Sequence, residues 1–316
     1  MVEGVRSRED SVDSGVPQGT VMGPLLFLVH ISDLPSVLDP NTAVRLFADD
    51  CLVYRSIDGI EDQRSLQRDL DALVLWGKCW GMRFNASKCN IIHMGTIKFH
   101  FFYSLSNHVL QIVSHAKYLG ITLTSDLTWS QHVASTASKA HQRLGFLKRN
   151  LRGAPYKCRE MAYVTLILSQ MEYCSTIWDP SLKKNCDALE KIQRKAARWA
   201  TGQYGSCSVT QILRDLKWEP LADRRRAQRL ALFYKILNFQ VNIDPASVDI
   251  KLSTRSRPRG NSNPKKLDRP SARGKSSPLW NSTIFRTIPE WNNLPATTAE
   301  ADSITAFKSR LACCSP

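Results

Sequence analysis

Two adjacent carboxylates, Asp49 and Asp50, are the residues of this 316-residue sequence whose types and spacing most favour chemistry. They stand between two short, apolar, β-prone runs within residues 42–55, and this pattern predicts a hairpin with an acidic two-residue tip. Two carboxylates held side by side repel each other, and a hard divalent cation with oxygen ligands relieves that repulsion. On spacing alone, such a tip is also typical of a solvated turn.

A helix is predicted on each side of this hairpin. The apolar run at residues 24–38 begins with Pro24, which suits the first turn of a helix, and its many Leu and Val residues predict that the helix is buried. Residues 61–80 repeat apolar side chains at helical spacing, with Asp69 among the charged residues of the opposite face. The apolar face of this second helix is expected to pack on another element.

Strands are predicted next and helices after them. Residues 90–94 and 99–124 are rich in β-branched and aromatic residues and predict strands with at least one hairpin. From Trp129 the pattern becomes helical. The predicted helices lie at about 129–150, 155–179, 182–203 and 219–239. Residues 253–280, dense in Ser, Pro, Gly, Arg and Lys, predict a flexible basic linker, and two short helices are predicted at 284–291 and 304–311.

The net charge of +15 is concentrated in the middle of the chain. Residues 1–138 hold 11 basic and 14 acidic residues, whereas residues 139–275 hold 29 basic and 11 acidic ones. A basic block of this size indicates a polyanionic partner, although a solvated helical surface that only keeps the protein soluble has the same composition. Four aromatic residues among these cations could stack on bases or simply pack: Trp178, Trp199, Tyr204 and Trp218.

Composition excludes several classes of protein. With 43% hydrophobic and 22% charged residues, the chain is expected to fold. No window approaches the roughly 20 apolar residues of a membrane helix, and residues 1–13 lack the apolar run of a secretory signal. The nine cysteines form no C-x-x-C pair, which favours reduced thiols over a zinc site. We therefore expect an intracellular protein, nuclear or cytoplasmic, with no membrane partner.

Several motifs stand in a fixed order along the chain. Phe47-Ala48-Asp49-Asp50 fits the pattern Y/F-A-D-D and follows a Pro-Gln-Gly loop and helix at residues 14–27. The later motifs lie at residues 80–89, 117–121, 144–151, 172–180 and 193–198. Together, from about residue 14 to 311, they resemble the reverse transcriptases of non-LTR (LINE-type, jockey-like) retrotransposons.

This resemblance implies roles for residues near the acidic pair. Asp49 and Asp50 would ligate Mg²⁺, or Mn²⁺, in nucleotidyl transfer to a primer 3′-hydroxyl. Lys88 would donate a proton or contact phosphate, or it is only a surface charge. Phe47 would lie under the primer end, where Tyr is commoner, or it is a core residue. The loop Pro17, Gln18 and Gly19 would lie beside the incoming nucleotide and the template base.

The resemblance also implies contacts with nucleic acid further along the chain. Tyr118, Leu119 and Gly120 would form the hairpin called the primer grip, although Leu119 could be a core residue and Gly120 only a turn. The basic residues expected to contact the nucleic-acid backbone are Lys148, Arg149, Arg152, Arg194, Lys195 and Arg198.

The fold class implied by the resemblance is α+β, with a truncated polymerase palm followed by an all-α thumb and a post-thumb helical region. The expected parts are a partial palm at 1–127, a thumb-like domain at 128–203, post-thumb helices at 204–252, the linker at 253–280 and a C-terminal helical segment at 281–316.

One palm carboxylate of the family has no clear counterpart in this sequence. It should come from a strand several dozen residues before the Pro-Gln-Gly loop, and only 13 residues precede Ser14. Asp10 and Asp13 lie in a polar stretch and are interpreted as linker residues. A two-metal site that lacks one carboxylate loses metal affinity and charge stabilisation. We therefore expect a fragment of an RNA-directed DNA polymerase, without its fingers and inactive alone.

The expected partners are an RNA template and a DNA primer, with a dNTP substrate and Mg²⁺ only if the site is completed. The alternative is a non-enzymatic nucleic-acid-binding protein, derived from the element, that uses the basic helices at 139–239 and the basic linker.

Overall fold

The computed structural model describes residues 15, 19–95, 101–205, 207–248, 250–253, 263–268 and 282–313. These residues form helices and small, mostly antiparallel two-stranded sheets, which agrees with the predicted α+β class. The chain divides into two compact units, residues 1–114 and 115–316. Asp10, Asp13, Pro17 and Gln18 lie outside the described residues.

The first unit combines a β-hairpin with helices and two smaller strand pairs. Its described elements are α1 (Gly23–His30), β1 (Ala43–Phe47), β2 (Asp50–Tyr54), α2 (Ile60–Cys79), β3 (Asn90–Ile91), β4 (Ser104–Leu105), β5 (His108–Val109) and β6 (Gln111–Ile112), with 3₁₀ turns at Leu34–Val37 and Ala86–Lys88. β1 pairs with β2 and β4 with β5 in antiparallel fashion, whereas β3 and β6 are parallel. The hairpin predicted at 42–55 and the helix predicted at 61–80 are confirmed.

The inner face of the β1–β2 hairpin packs into one apolar core with both helices. Alternate strand residues such as Val44 and Val53 join Ile31, just after α1, and Trp76 of α2. The Trp76 indole Nε1 donates a hydrogen bond to Asp33 Oδ1 at 3.0 Å, so the core also has a polar tie at its edge. The hairpin is therefore held on a packed base.

The helix predicted after Pro24 is present, but the prediction that it is buried is wrong. Leu25, Leu28 and Val29 are exposed among the described residues, whereas Phe27 and Ile31 pack into the core. The helix α1 carries apolar residues on all of its sides, and the core covers only one of these sides.

Asp69 was predicted on the polar face of α2, and this prediction is also wrong because its side chain is buried. Its Oδ1 accepts the backbone N–H of Asp39 at 2.8 Å, and its Oδ2 accepts the hydroxyl of Thr42 at 2.5 Å. Both donors belong to the segment just before β1, so the helical pattern of α2 does not reveal them. The carboxylate joins α2 to the base of the hairpin.

The second unit begins with a hairpin and continues as helices. Its described elements are β7 (His115–Tyr118), β8 (Ile121–Thr124), α3 (Ser130–Asn150), α4 (Tyr156–Tyr163), a π-helical segment (Val164–Leu168), α5 (Ser169–Glu172), α6 (Ser175–Trp178), α7 (Lys183–Thr201), α8 (Val209–Asp215), α9 (Leu221–Leu237), a 3₁₀ turn (Pro245–Val248), α10 (Thr283–Asn292), α11 (Ala296–Ala299) and α12 (Ile304–Cys313). The predicted helices at 129–150, 182–203, 219–239, 284–291 and 304–311 are confirmed, whereas α8 and α11 were not predicted.

The helix predicted at 155–179 is interrupted. It runs through α4, the π segment and α5, and then breaks at Tyr173 and Cys174, where Cys174 has a φ of 51°. A left-handed residue cannot continue a right-handed helix, so α6 starts in a new direction.

Two apolar cores support the helices of the second unit. The first includes Leu144 of α3, Ile167 of the π segment and Leu189 of α7, and the second includes Phe233 of α9 and Trp291 of α10. Trp178 and Trp199 are buried in the first core, and Trp218 packs against it with its ring stacked on Tyr163. Of the two alternatives for these tryptophans, packing is the one the structure supports.

The described part of the predicted linker is packed. Residues 263–268 lie against the second core, where Leu267 is buried and forms an isolated bridge with Leu252. The Asn263 side chain donates to Trp291 O at 2.7 Å. Residues 263–268 therefore differ from a flexible linker, and residues 254–262 and 269–281 lie outside the described part of the chain.

A buried ionic cluster connects α9, α10 and the end of α6. Asp179 Oδ1 accepts from Arg225 Nε at 2.7 Å, and Oδ2 accepts from Arg286 at 2.6 Å. Arg229 Nε lies 2.9 Å from Oδ2 as an ion pair without hydrogen-bond geometry, while its terminal nitrogens donate to Thr287 and Glu290. One carboxylate thus neutralises parts of three guanidinium groups.

No helix among the described residues has both the length and the apolar character needed to cross a membrane. The described cysteines are all free thiols.

Candidate functional site

The acidic pair lies at the end of the β1–β2 hairpin, one residue out of the predicted register. Phe47 pairs with Asp50, so the two-residue turn consists of Ala48 and Asp49, and Asp50 is the first residue of β2 rather than part of the tip. Ala48 has a φ of 50°, a conformation that is uncommon outside glycine and asparagine. Sequence propensity does not indicate a turn that begins at an alanine.

Both carboxylates are exposed and uncompensated. Neither Asp49 nor Asp50 forms a side-chain hydrogen bond or an ion pair with any other described residue. Phe47 is 62% exposed and, as the pairing partner of Asp50, lies on the same outer face of the hairpin. Phe47 is therefore not a core residue, and its ring is available beside the carboxylate.

Ion pairs at the other end of the hairpin fix its position on α2. Arg55, just after β2, donates to Asp39 Oδ1 at 2.9 Å and lies 3.5 Å from Asp62, in the first turn of α2. The backbone N–H of Asn41 and then the Arg55 guanidinium hold the pKa of Asp39 below its usual value. With the buried Asp69, these contacts restrain the base of the hairpin and leave its tip free. Sequence reasoning did not identify Arg55 or Asp69 as positioning residues, because their partners lie on other elements.

The other predicted site residues of the first unit that the structure describes, Gly19 and Lys88, have fewer contacts with the rest of the unit. Gly19 is exposed, with a φ of 80° and open space where a side chain would start. Lys88 is exposed at the end of a 3₁₀ turn, and in the described part of the chain no hydrogen bond or ion pair joins it to the hairpin. The structure therefore places Phe47, Asp49 and Asp50 together, but not Lys88.

The donor set at the tip fits a hard divalent cation. Mg²⁺ prefers oxygen ligands and is commonly held by one or two carboxylates together with waters and substrate phosphates. Asp49 and Asp50 supply such oxygens without a competing cation. Among the described residues, no group of three His, Cys, Asp or Glu side chains is placed to hold a metal ion.

The hairpin predicted as a primer grip has a tight turn packed on a tyrosine. Tyr118 pairs with Ile121 across a turn in which Leu119 and Gly120 have φ values of 44° and 85°. The Tyr173 hydroxyl donates to Leu119 O at 3.1 Å, and a Cβ placed on Gly120 would lie 3.2 Å from its ring. Gly120 is thus favoured by its positive φ and by the close approach of Tyr173, whose ring would have to shift by a few tenths of an ångström for a side chain at this position.

A cavity of about 390 Å³ lies beside this turn. Its lining includes three cations, Lys117, Lys139 and Arg143, and the buried His132, whose Nδ1 accepts the backbone N–H of Thr122 at 3.2 Å. Burial, and then the charge of Lys139, lower the pKa of His132, which favours the neutral ring. This hairpin therefore borders a concave basic surface.

Three of the six predicted backbone contacts come together in a second cavity, of about 320 Å³. Lys148 of α3 faces Lys195 and Arg198 of α7 there. Arg149, Arg152 and Arg194 are exposed and do not line this cavity. The described lining also includes residues that the motif did not identify as site residues: His141, Leu144, Gly145 and Tyr204.

Comparison with known proteins indicates the family of this region of the chain. The model of the reverse transcriptase (RNA-dependent DNA polymerase) family matches residues 2–123. The RNA-directed DNA polymerase from mobile element jockey of Drosophila melanogaster is 28% identical over 264 residues, which cover 80% of this chain and 28% of that protein. The probable RNA-directed DNA polymerase from transposon BS of the same species is 31% identical over 71% of this chain and 27% of its own length. A third relative, from transposon X-element of that species, is 28% identical over 69% of this chain and 25% of its own length.

The chain spans less than a third of the length of each of these relatives. No solved structure shows a significant match. The hairpin with its acidic pair lies inside the matched family region, and the similarity to the mobile-element polymerases extends beyond it into the helical part. Residues 2–123 therefore belong to the reverse transcriptase family, and most of the chain is similar to the RNA-directed DNA polymerases of jockey-like, non-LTR mobile elements.

Proposed function

We propose that this chain supplies the metal-binding hairpin and the basic helices of an RNA-directed DNA polymerase that adds nucleotides to a primer 3′-end. The observation that carries the proposal is the exposed, uncompensated pair Asp49 and Asp50 at the free end of a firmly anchored hairpin. An acidic pair that served only as a solvated turn would not need an anchor of this kind. The family membership of the surrounding residues supports the same interpretation.

In this proposal each group at the tip has a defined task. Asp49 and Asp50 would hold the cation, which would favour ionisation of the primer hydroxyl and balance the charge that develops on the phosphates. Phe47 offers an exposed aromatic surface beside Asp50, suited to support the terminal nucleotide of the primer. Arg55 and Asp69 keep the tip in place from the other end of the hairpin.

A manganese titration tests the metal site. The chain, bound to a DNA primer annealed to an RNA template, is titrated with Mn²⁺ while the free ion is followed by electron paramagnetic resonance. We expect Asp49→Asn combined with Asp50→Asn to weaken Mn²⁺ binding by about tenfold or more, because both charged ligands are lost. Asp58→Asn removes an exposed carboxylate of the same unit and should leave the titration unchanged. Equal Mn²⁺ binding by the double variant and the unchanged chain would refute the proposed site.

A second candidate function is nucleic-acid binding without catalysis. It is favoured by the facing cations Lys148 and Lys195, which have no acidic partner among the described residues. Binding of the primer–template should then weaken steeply with salt, because each neutralised phosphate releases counterions. The Asp49→Asn and Asp50→Asn double variant should keep this binding. If binding is retained but Mn²⁺ has no site in the unchanged chain, the non-enzymatic function is the better description.

A further inference from the structure

The 320 Å³ cavity between α3 and α7 combines two kinds of surface. His141 and Lys148 lie two turns apart on α3, with Leu144 and Gly145 between them on the same face. Leu144, which is a buried core residue, and Gly145, which has no side chain, contribute an apolar floor to the cavity. The cations stand around this apolar floor. A site with an apolar floor and a basic rim suits a ligand that is both flat and anionic.

The rim carries positive charge that nothing in the described part of the chain neutralises. Lys148 is partly buried, and its burial and then the charge of Lys195 lower its pKa. Neither lysine forms an ion pair with a described acidic residue. His141 faces the same charges, since burial and then Lys195, Lys148 and Lys191 lower its pKa. A bound anion would relieve this repulsion.

An aromatic ring is held at the edge of the same cavity. Tyr204 is 63% exposed and lines the cavity just beyond α7, which ends at Thr201 and is capped by Gly202 with a φ of 73°. Arg198 fixes this segment, because its guanidinium donates to the carbonyls of Gln203 and Gly205 at 3.3 Å and of Cys207 at 3.4 Å. Arg198 was predicted to contact phosphate, but its donors are directed at these carbonyls, so it acts here as a positioning residue for Tyr204.

We propose that this cavity binds one unpaired nucleotide of a single-stranded nucleic acid. The base would lie on the apolar floor against the Tyr204 ring, and its phosphate would lie between Lys148 and Lys195. The cavity volume is at the lower end of the range of about 300–1,000 Å³ found for small-ligand sites, which suits a single nucleotide. This inference rests on the proposed function and adds a single-strand site to the binding of the primer–template.

Other anionic ligands use only part of the site. A free phosphate ion would contact the lysines but leave the apolar floor and Tyr204 unused. A base-paired duplex keeps its bases stacked inside the helix and presents only its backbone to the rim. Stacking of an unpaired base on an aromatic side chain uses both surfaces and depends little on the sequence of the nucleic acid.

The test measures binding of the full chain to labelled 12-mers of oligo(dT) and oligo(U) and to the primer–template duplex, at one salt concentration. Alanine substitution of a stacking aromatic residue costs about 1–3 kcal/mol per base, so we expect Tyr204→Ala to weaken single-strand binding by roughly 5- to 150-fold. Tyr204→Trp should retain it. Duplex binding should change little in both variants. The oligo(dT) and oligo(U) arms distinguish a DNA strand from an RNA strand as the natural source.

A charge-matched pair of variants tests the phosphate contact. Lys148→Gln with Lys195→Gln should weaken single-strand binding and reduce its salt dependence, whereas Lys183→Gln with Lys184→Gln removes the same charge from the exposed start of α7 and should have a smaller effect. Thymidine monophosphate should displace oligo(dT) at concentrations where inorganic phosphate does not.

Unchanged single-strand binding by Tyr204→Ala, or equal displacement by inorganic phosphate and thymidine monophosphate, would overturn the inference. If single-strand binding is insensitive to Tyr204 while the Mn²⁺ titration and duplex binding behave as proposed, only the single-nucleotide site fails. If the Asp49→Asn and Asp50→Asn double variant binds Mn²⁺ as tightly as the unchanged chain does, while Tyr204→Ala still weakens single-strand binding, the polymerase proposal is refuted instead.

Discussion

Replacement of Asp179 by asparagine should strongly destabilise the second unit. The Asp179 side chain is 7% exposed, and the Arg225 side chain that it pairs with is 2% exposed. Asp179→Asn keeps the shape of the side chain but removes its charge, so the buried Arg225 loses its hydrogen-bonded counter-ion. Arg229 retains Glu290, at 3.0 Å, and Arg286 is partly exposed to solvent, so the largest cost falls on Arg225.

The magnitude follows from this burial. Removal of one partner of a buried ion pair costs about 3–5 kcal/mol, whereas an exposed pair contributes about 1 kcal/mol or less. With a slope of about 2 kcal/mol per molar urea, the midpoint of unfolding should fall by roughly 1.5–2.5 M. Trp178, fully buried next to Asp179, provides a fluorescence signal for the transition.

Matched variants separate the ionic effect from a general loss of packing. Asp187→Asn, at an exposed position of α7, should change the free energy of unfolding by about 0.5 kcal/mol or less, as is usual for surface substitutions. Asp179→Leu combined with Arg225→Met removes both charges and should recover much of the lost stability. A loss below about 1 kcal/mol for Asp179→Asn would show that solvent reaches the cluster and would refute this reasoning.

Two other predictions concern the β7–β8 hairpin and its surroundings. Gly120→Ala should lower the free energy of unfolding by about 1–2 kcal/mol, because the φ of 85° disfavours a side chain and the new Cβ would approach the Tyr173 ring. Thermal unfolding measures this loss, and Gly153→Ala, at a position with open space and no positive φ, is the control. Equal effects of the two substitutions would contradict the prediction. His132 has a lowered pKa in the folded state, so the unfolded chain binds more protons, and its contribution to stability is present above about pH 6.5 and is lost as the pH falls. Urea midpoints at pH 7.5 and 5.5 should therefore differ less in His132→Gln than in the unchanged chain, and an undiminished difference would exclude His132 as a cause.

The sequence predicts those elements whose pattern is local. The β1–β2 hairpin, α2, α3, α7 and α9 follow from alternation or helical spacing, and the structure confirms them. The register of the hairpin tip does not follow, because Ala48 adopts a left-handed conformation that its residue type does not favour. The break in the helix at Cys174 has the same cause, since Cys174 also adopts a left-handed conformation that its residue type does not favour.

Predictions that depend on distant partners are less successful. The helical spacing of α2 predicts that Asp69 faces solvent. Its hydrogen-bond donors, Asp39 N–H and the Thr42 hydroxyl, come from another segment, so this spacing does not reveal them. Residues 263–268 have the composition of a linker, yet Asn263 and Leu267 pack because α10 offers them a polar and an apolar partner. Tertiary contacts override local composition in both cases.

The candidate site shows the same division. Asp49, Asp50 and Phe47 are predicted from the motif at the hairpin, and Lys148 and Lys195 are individually predicted from the later basic motifs. That these two lysines face each other across one cavity, with Tyr204 at its edge, results from the packing of α3 on α7 and has no signal in the linear sequence.

The register of the hairpin gives the two neighbouring carboxylates unequal mobility. Asp50 is held in the ladder of β2 opposite Phe47, whereas Asp49 lies in the two-residue turn with Ala48. Exposed turns move on nanosecond to microsecond timescales, while a paired strand stays close to its mean position. In the proposed metal site, the hairpin would thus present one ligand on a paired strand and one on a turn, and ions of different radius would be accommodated without a change in the strands.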